Sequence, residues 1–332
     1  MNLRPRAAMM QGVHMRIVVT GRIPEAALET LRQAGEVRMS ETNRPLTPGE
    51  LREAVGGASA IVSMLHDKID GSVADAAGPG LRVVANVAVG YDNIDVAALA
   101  ERGVLTTNTP GVLTDATADL AFGLLLALTR RLVEGDRLLR ARRPWSFHLG
   151  FMLGSGLQGK TLGIVGLGQI GRAVARRARA FGMHIIYSGR SRSAAENELD
   201  ARFVTQDELL TTADVVSLHC PLTPETRHLI DASALAAMKP SAVLVNTTRG
   251  PVVDEPALAD ALARGEIAGA ALDVFEKEPE VEPRLLELDN VVLTPHLGSA
   301  TVETRTEMAL LAARNVISVL GGGEPVTPVP AG

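Results

Sequence analysis

Short apolar runs alternate with amphipathic stretches along most of the chain, a pattern typical of parallel β-sheets covered by helices. The amphipathic stretch that begins at Pro24 predicts a helix, for which Gly35 is a suitable C-cap. The first third of the chain is therefore expected to form one α/β unit. Its predicted strands are MRIVVT from Met15, AIVSML from Ala60, LRVVANVAV from Leu81 and GVLTTN from Gly103.

A second series of apolar runs begins at Leu162 and predicts a second domain of the same class. Its predicted strands are LGIVG, HIIY, DVVSLHC, AVLVN, GAALD and VVLTP. A long helix is predicted before this series, over 114–143, and an amphipathic helix after it, over 301–320. The Pro-rich segment EPVTPVPAG at the C-terminus is predicted to be unstructured. The expected fold class is therefore α/β, with two doubly wound parallel sheets.

Length, composition and charge agree with this architecture and restrict the classes of function. A chain of 332 residues is long enough for two domains, and 46% hydrophobic with 21% charged residues is typical of a globular protein. The formal net charge of -5 gives no electrostatic reason to expect nucleic acid or an anionic membrane as partner. With Cys220 as the only cysteine, neither an internal disulfide nor a multi-cysteine metal site is expected.

The longest apolar stretch, 120–128, is too short to span a bilayer, and residues 1–14 lack the apolar run of a secretory signal. Residues 1–14 are interpreted as an upstream start or a loose tail. We therefore expect a cytoplasmic protein whose partner is a small molecule rather than a membrane or a nucleic acid.

The segment LGIVGLGQIG contains Gly166, Gly168 and Gly171 in G-x-G-x-x-G spacing, with an apolar strand before the glycines and a helix after them. In a dinucleotide-binding turn the first glycine allows a compact backbone, and the second leaves room for the pyrophosphate. The third lets the helix pack closely on the strand. The pyrophosphate would then lie against the free N–H groups at the helix N-terminus. The sequence therefore predicts a dinucleotide site.

The end of the next predicted strand bears on the choice between NAD(H) and NADP(H). Enzymes that use NAD carry an Asp or Glu here, about 20 residues after the glycines, for the ribose 2′-hydroxyl. In this chain Ser188 takes that place, and Gly189, Arg190, Ser191 and Arg192 follow. Arginines can pair with a 2′-phosphate, which a carboxylate would repel. We predict that NADP(H) is preferred, with NAD(H) as the alternative; the competing interpretation is that both arginines are merely exposed.

Candidate catalytic residues follow three later strands. Hydride transfer to a ketone needs a proton donor, a group that tunes this donor, and a cation that polarises the carbonyl and anchors the carboxylate. Ligands of α/β sheets bind at the carboxyl ends of the strands. The segments at these ends supply Arg249, Glu278 and His296. Asp254 and Glu255 precede a helix and are interpreted as its caps.

These segments, together with GLGQIG, resemble the D-isomer-specific 2-hydroxyacid dehydrogenase family, and within it the glyoxylate/hydroxypyruvate reductases. ANVAVGYDNIDV, TNTPGVLTDATADLAFGLLLA, CPLTPETRHLI and DNVVLTPHLGSAT fit the same branch, so that the resemblance covers nearly all of 15–323. It implies a D-2-hydroxyacid dehydrogenase that works mainly as a 2-oxoacid reductase on glyoxylate, hydroxypyruvate or a related small 2-oxoacid.

The resemblance also implies roles for individual residues. His296 would protonate the substrate oxygen, Glu278 would bind the other ring nitrogen and fix its tautomer, and Arg249 would bind the substrate carboxylate and carbonyl. Backbone N–H groups at Val89 and Gly90 would complete the carboxylate pocket. Further positions expected to touch the cofactor are Leu167, Gln169, Ile170, Gly189, Ser191, Thr247, Thr248, Asp273 and Gly298.

One position departs from the pattern of related reductases, which commonly place a tryptophan where this chain has Phe151. In a dimer, the side chain at this position would reach into the partner's substrate pocket. Phe151 keeps an apolar wall but lacks the indole N–H donor, so hydroxypyruvate is expected to be less favoured than glyoxylate or a larger apolar 2-oxoacid. The nearby Trp145 is interpreted either as a substitute or, more simply, as a packing anchor.

The resemblance implies two flavodoxin/Rossmann-like domains with a cleft between them. Residues 1–107 and 297–332 would form a discontinuous substrate-binding domain, and 108–296 a Rossmann dinucleotide-binding domain with a dimerisation arm over about 108–155. A homodimer is expected. Two alternatives stay open: a non-catalytic nucleotide-sensing module of the same fold, and an NAD-dependent dehydrogenase of the D-lactate or phosphoglycerate type. The joint presence of the three candidate catalytic residues favours an enzyme.

Overall fold

The computed structural model describes residues 15–42 and 44–330, which divide into two compact units. Unit 1 contains the described residues up to Leu113 and from Thr301 onwards, and unit 2 contains Thr114–Ala300. The interpretation of residues 1–14 as an upstream start or a loose tail lies outside the described residues. Each unit is built on a parallel sheet, so the predicted α/β class with two such sheets is confirmed.

The elements of the described residues follow one another as strands and helices in near-regular alternation. The strands are β1 (Arg16–Val19), β2 (Glu36–Met39), β3 (Ala60–Ser63), β4 (Val83–Asn86), β5 (Leu105–Thr107), β6 (Thr161–Val165), β7 (His184–Ser188), β8 (Ala201–Phe203), β9 (Val215–Leu218), β10 (Val243–Asn246), β11 (Gly269–Leu272) and β12 (Val291–Leu293). The helices are α1 (Glu25–Arg32), α2 (Pro48–Ala54), α3 (Gly71–Ala77), α4 (Val96–Glu101), α5 (Thr114–Thr129), α6 (Leu132–Arg140), α7 (Gln169–Ala180), α8 (Glu196–Leu199), α9 (Gln206–Thr212), α10 (Ala232–Ala237), α11 (Glu255–Arg264), α12 (Pro283–Leu286) and α13 (Val302–Leu320).

In unit 1 the described strands form one sheet in the order β2-β1-β3-β4-β5, with every pair parallel. The central strands β3 and β4 are buried along their whole length because apolar side chains face helices on both sides. Ile17 and Val19 pack with α1 and α13 on one face, and Val18 packs with α2 and α3 on the other. The first and last parts of the chain thus share one core.

The edge strand β2 was not predicted, because its residues EVRM form no apolar run and stay partly exposed. The expected C-cap at Gly35 is wrong, since α1 ends with Gln33 as its C-cap. Gly35 is instead needed for a close approach: a Cβ there would lie 2.2 Å from the backbone oxygen of Met15. A side chain at this position would therefore push β2 away from β1.

The C-terminal segment after α13 is ordered through residue 330, so the prediction that it is unstructured is wrong. The N–H of Val329 donates to the carbonyl of Thr106 at 2.9 Å, and Pro328 forms an antiparallel bridge with Thr107. Val329 is 8% exposed. The segment pairs with β5 because β5 is an edge strand whose backbone groups would otherwise have no partner in the sheet.

In unit 2 the described strands form one parallel sheet in the order β12-β11-β10-β9-β6-β7-β8, with an apolar core on each face. The segment predicted as a long helix, from about 114 to 143, is mostly helical, but it is divided into α5 and α6 instead of forming one helix. Arg131 has a φ of +53°, and the N–H of Ser155 donates to the carbonyl of Thr129 at 2.8 Å, where a continuous helix would need that carbonyl for itself. The three-residue edge strand β8 was also missed. None of the helices in the described ranges has the length and apolar character needed to cross a bilayer.

Candidate active site

The predicted catalytic and cofactor-binding residues of unit 2 lie beyond the carboxyl ends of its parallel strands, so they gather along one edge of the sheet. The glycine-rich turn follows β6, Gly189 to Arg192 follow β7, Thr247 to Arg249 follow β10, Asp273 follows β11, and His296 and Gly298 follow β12. Across the described ranges, no group of three or more His, Cys, Asp and Glu side chains is placed to hold a metal ion.

The glycine-rich turn has a geometry that only glycine allows. Gly166 has a φ of +94°, and a Cβ there would lie 2.9 Å from the backbone of His219 and Cys220. A Cβ at Gly171 would lie 2.4 Å from the carbonyl oxygen of Gly166, so α7 and the end of β6 could not approach as closely. Gly168 differs from both, because a Cβ there would meet no atom within 4 Å. It borders open space at the start of α7.

The residues around this open space fit a dinucleotide. Gly168 is the N-cap of α7 and provides no side-chain cap, and the N–H groups of Gln169 and Ile170 have no acceptor within the described ranges. The hydroxyl of Thr247, on another loop of the same edge, is buried and has no partner among the described residues. Free donors at the N-terminus of a twelve-residue helix would hold the pyrophosphate.

The two arginines after β7 have different surroundings. Arg192 forms a 2.8 Å ion pair with Glu196 and lies over the ring of Phe203, with its guanidinium carbon 5.3 Å from the ring centroid. Arg190 is exposed and forms no hydrogen bond or close ion pair within the part of the chain that the structure describes. Ser188, at the end of β7, is buried. The positive charge of Arg190 helps to lower the pKa of Glu225, but Arg190 can bind an anion without breaking a hydrogen bond or a close ion pair among the described residues.

His296 and Glu278, on the loops after β12 and β11, are brought into direct contact. Nδ1 of His296 lies 2.8 Å from Oε2 of Glu278, while Oε1 of the same carboxylate accepts the N–H of Phe275 at 3.0 Å. Burial alone would raise the pKa of Glu278. The hydrogen bond and charge of His296, the Phe275 N–H and the positive charge of Arg249 together hold that pKa below its usual value.

Asp273 holds the loop that carries His296. This carboxylate is fully buried and accepts the hydroxyl of Thr294 at 2.6 Å, the N–H of Leu297 at 2.7 Å and the N–H of Gly298 at 2.8 Å. The carbonyl of Asp273 also accepts the N–H of His296 at 2.8 Å, in a turn where His296 has a φ of +53°. Burial raises the pKa of Asp273 despite these donors. A role in loop order was not predicted for this residue.

Arg249 lies on a loop that Asn246 shapes. Asn246 is 1% exposed, donates to the carbonyl of Arg249 at 2.9 Å and accepts the N–H of Thr248 at 3.0 Å. A Cβ on Gly250 would lie only 1.8 Å from the carbonyl carbon of Phe275, so this loop packs directly on the backbone of the Glu278 loop. Sequence reasoning missed Asn246, although a polar residue that ends the apolar run VLVN is a usable signal.

Glu255 is not a helix cap as expected. Asp254 alone caps α11, by accepting the N–H of Ala257 at 3.0 Å. Glu255 is buried and accepts the N–H of Glu276 at 2.5 Å, and its pKa is raised chiefly by burial. It ties the start of α11 to the loop that carries Glu278.

Two further groups of predicted residues belong to other segments of the chain. Val89 and Gly90 follow β4 of unit 1, and their N–H groups have no acceptor in the described part of the chain. Phe151 lies in the segment after α6, where its ring stacks on that of Trp145 with centroids 6.1 Å apart. Trp145 therefore packs against Phe151, as expected of a packing anchor.

Comparison with known proteins gives one consistent group of relatives. Residues 122–298 match the model of a family described as D-isomer specific 2-hydroxyacid dehydrogenase, NAD binding domain. A glyoxylate reductase of Pyrococcus furiosus is 50% identical over 319 residues, which are 95% of this chain and 95% of that protein. The crystal structure of a Thermus thermophilus protein has a TM-score of 0.89 at 46% identity and covers 95% of this chain and 100% of its own. An NADPH-dependent glyoxylate/hydroxypyruvate reductase of Sinorhizobium meliloti, solved with NADP and malonate, has a TM-score of 0.84 at 39% identity, covering 96% of this chain and 98% of its own.

Proposed function

The chain belongs to the D-isomer-specific 2-hydroxyacid dehydrogenase family, and from this premise we propose that it reduces glyoxylate or a related small 2-oxoacid with NADPH as the preferred reductant. As a family member it is an oxidoreductase that depends on a nicotinamide dinucleotide and acts on CH–OH groups. The names of the relatives support reduction of a 2-oxoacid as its activity. The catalytic residues, the cofactor preference and the substrate are our proposal.

The contact between His296 and Glu278 carries the proposal. Glu278 occupies Nδ1 of the ring, which leaves Nε2 to give a proton to the substrate oxygen. When bound, the dinucleotide supplies the hydride. Arg249, whose charge lowers the pKa of Glu278, would bind the substrate carboxylate and polarise the carbonyl.

Three observations support NADPH over NADH. Ser188 replaces the carboxylate that would repel a 2′-phosphate, Arg190 has no competing ion pair among the described residues, and a relative was solved with NADP. Arg192 would add to the site only by exchanging Glu196 for the phosphate. Arg190 is therefore the principal residue for this preference.

The proposal extends to assembly and substrate range. Unit 1 would bind the substrate carboxylate through Val89 and Gly90, and the arm over about 108–155 would pair two copies. Exposed apolar side chains in that arm support a partner surface, since Phe147 is 82% and Leu149 89% exposed. If Phe151 reaches the partner's pocket, its apolar ring favours glyoxylate or a larger apolar 2-oxoacid over hydroxypyruvate.

A kinetic panel tests the proposal. The loss of reduced-nicotinamide absorbance is measured with glyoxylate, hydroxypyruvate and pyruvate, each with NADPH and NADH. His296→Asn should lower kcat by about 100-fold or more, since acid–base catalysis contributes roughly that much. His184→Asn, an exposed histidine at the start of β7, is the matched control and should keep full activity. A chain that binds the dinucleotide but oxidises it with none of these acids would be a nucleotide-sensing module instead.

A further inference from the structure

The two residues that follow β5 hydrogen-bond the loop that carries Val89 and Gly90. The N–H of Thr109 donates to the carbonyl of Ala88 at 2.9 Å, and Nδ2 of Asn108 donates to the carbonyl of Val89 at 2.8 Å. In a planar trans peptide the C=O and the N–H point in opposite directions. Fixing the carbonyls of Ala88 and Val89 therefore also fixes the directions of the N–H groups of Val89 and Gly90.

The C-terminal segment holds the peptide between Asn108 and Thr109. The hydroxyl of Thr327 donates to the carbonyl of Asn108 at 2.6 Å, and the N–H of Asn108 donates to the carbonyl of Thr327 at 3.3 Å. Asn315 of α13 is fully buried. Its side chain donates to the hydroxyl of Thr327 at 2.8 Å and accepts the backbone N–H of Thr327 at 2.9 Å. Hydrogen bonds thus run without a break from α13 to the loop after β4.

We propose that Thr327 is a positioning residue for substrate binding, which acts through Asn108 to direct the N–H groups of Val89 and Gly90 towards the carboxylate of the 2-oxoacid. This inference rests on the proposed function. Neither N–H has an acceptor within the described ranges, and both residues are partly exposed, so both donors are available to a ligand. Two fixed N–H groups on consecutive residues can bind one carboxylate together.

A positioning role differs from a merely structural one in what it changes. The segment 327–329 also covers the edge of β5, so its loss would weaken unit 1 in any case. The substrate carboxylate, however, stays bound from the ground state to the transition state. Loss of its donors should therefore raise KM for the 2-oxoacid and leave kcat and the affinity for the dinucleotide nearly unchanged.

The test compares Thr327→Val, which keeps the shape but loses the hydroxyl, with Thr327→Ser, which keeps the hydroxyl. Thr327→Val should raise KM for glyoxylate by roughly tenfold, the affinity that one hydrogen bond to a charged group supplies, and Thr327→Ser should behave as wild type. The Kd of oxamate, a 2-oxoacid isostere that is not reduced, is measured by calorimetry at saturating NADPH and should rise by the same factor. Asn108→Asp, which sets a carboxylate oxygen against the carbonyl of Val89, should have the same effect if Thr327→Val does not fold.

The control is Thr47→Ala, which removes the N-cap of α2 in the same unit and should lower stability without changing KM. Wild-type KM and oxamate affinity in Thr327→Val and Asn108→Asp would overturn the inference, as would a fall in kcat and in dinucleotide affinity as large as the rise in KM. A wild-type chain that reduces no 2-oxoacid would overturn the proposed function alone, because the oxamate titrations still compare the variants. A wild-type chain that also fails to bind oxamate would overturn the positioning role.

Discussion

Glu278 and His296 are 18 residues apart in sequence, yet Oε2 of Glu278 lies 2.8 Å from Nδ1 of His296. The other carboxylate oxygen accepts the N–H of Phe275, so neither oxygen can leave its place without losing a partner. The imidazole is thereby held by a carboxylate that is itself held by its own loop. In the proposed mechanism, Nε2 is the ring nitrogen that remains for proton exchange.

Glu278→Gln should lower kcat by at least roughly tenfold, a part of the 10²- to 10⁴-fold that acid–base catalysis contributes. A glutamine side chain can accept from His296 or from Phe275 but cannot offer a carboxylate to the ring. Steady-state kinetics under saturating cofactor measure the loss. Glu280→Gln changes an exposed carboxylate on the same loop and serves as control. Equal kcat in both variants would remove Glu278 from the catalytic group.

The same pair makes stability depend on pH in acid. The pKa of Glu278 in the folded protein lies below its usual value, against the effect of burial, because of His296, Phe275 and Arg249. Ionised Glu278 therefore stabilises the fold above its unfolded pKa of about 4.3, and this contribution is lost as pH falls through the lower, folded pKa. The free energy of unfolding of wild type should exceed that of Glu278→Gln above about pH 5 and approach it in stronger acid. Urea titrations at constant ionic strength measure the difference, and a gap that persists undiminished in strong acid would contradict the prediction.

Asp273→Asn should both destabilise unit 2 and slow catalysis. An asparagine has one side-chain oxygen, so the N–H of either Leu297 or Gly298 would lose its acceptor and face an NH2 group. This loss should lower the free energy of unfolding by about 1–3 kcal/mol. Because the same loop carries His296, kcat should fall as well. Thr294→Val removes only one donor to Asp273 and should have a smaller effect on both quantities. Unaltered kcat in a destabilised Asp273→Asn would limit Asp273 to a structural role.

The sequence predicts the interior of this fold better than its edges. Central strands such as β4 and β10 are continuous apolar runs because both faces of a parallel sheet are covered. The edge strand β2 lacks that signal, and the break at Arg131 depends on a distant segment around Ser155. Likewise, the order of the C-terminal segment comes from pairing with β5, which no local pattern encodes.

In the candidate site, the sequence predicts the chemistry of the titratable residues better than the hydrogen-bond partners of the polar residues around them. The contact between Glu278 and His296 could be predicted, because the family resemblance implies a carboxylate against the second ring nitrogen. Asn246 and Asn108 were missed, because an asparagine after a strand also suits an ordinary turn. Only the structure shows the carbonyls to which their side chains donate, those of Arg249 and Val89.

Arg190→Ala should lower kcat/KM for NADPH by about tenfold or more and leave NADH nearly unaffected, since only NADPH carries the 2′-phosphate. Arg192→Ala should have a smaller effect, because Arg192 is already paired with Glu196. The ratio of kcat/KM for the two cofactors, measured for wild type and both variants, gives the result. An equal loss with NADH and NADPH, or a larger effect at Arg192, would contradict the assignment of the 2′-phosphate to Arg190.

Gly168 and Gly171 are only three residues apart, but replacement by alanine should affect different properties. A Cβ at Gly168 meets no protein atom within 4 Å and its backbone is extended, so Gly168→Ala should leave the free energy of unfolding within about 0.5 kcal/mol of wild type. That methyl group would occupy the space reserved for the pyrophosphate, so the Kd for the dinucleotide should rise by at least about tenfold. A Cβ at Gly171 lies 2.4 Å from the carbonyl oxygen of Gly166, so Gly171→Ala should cost about 1–3 kcal/mol of folding free energy. Calorimetric titration with NADPH and urea unfolding separate the two effects, and wild-type affinity in Gly168→Ala would mean that the pyrophosphate does not lie against this turn.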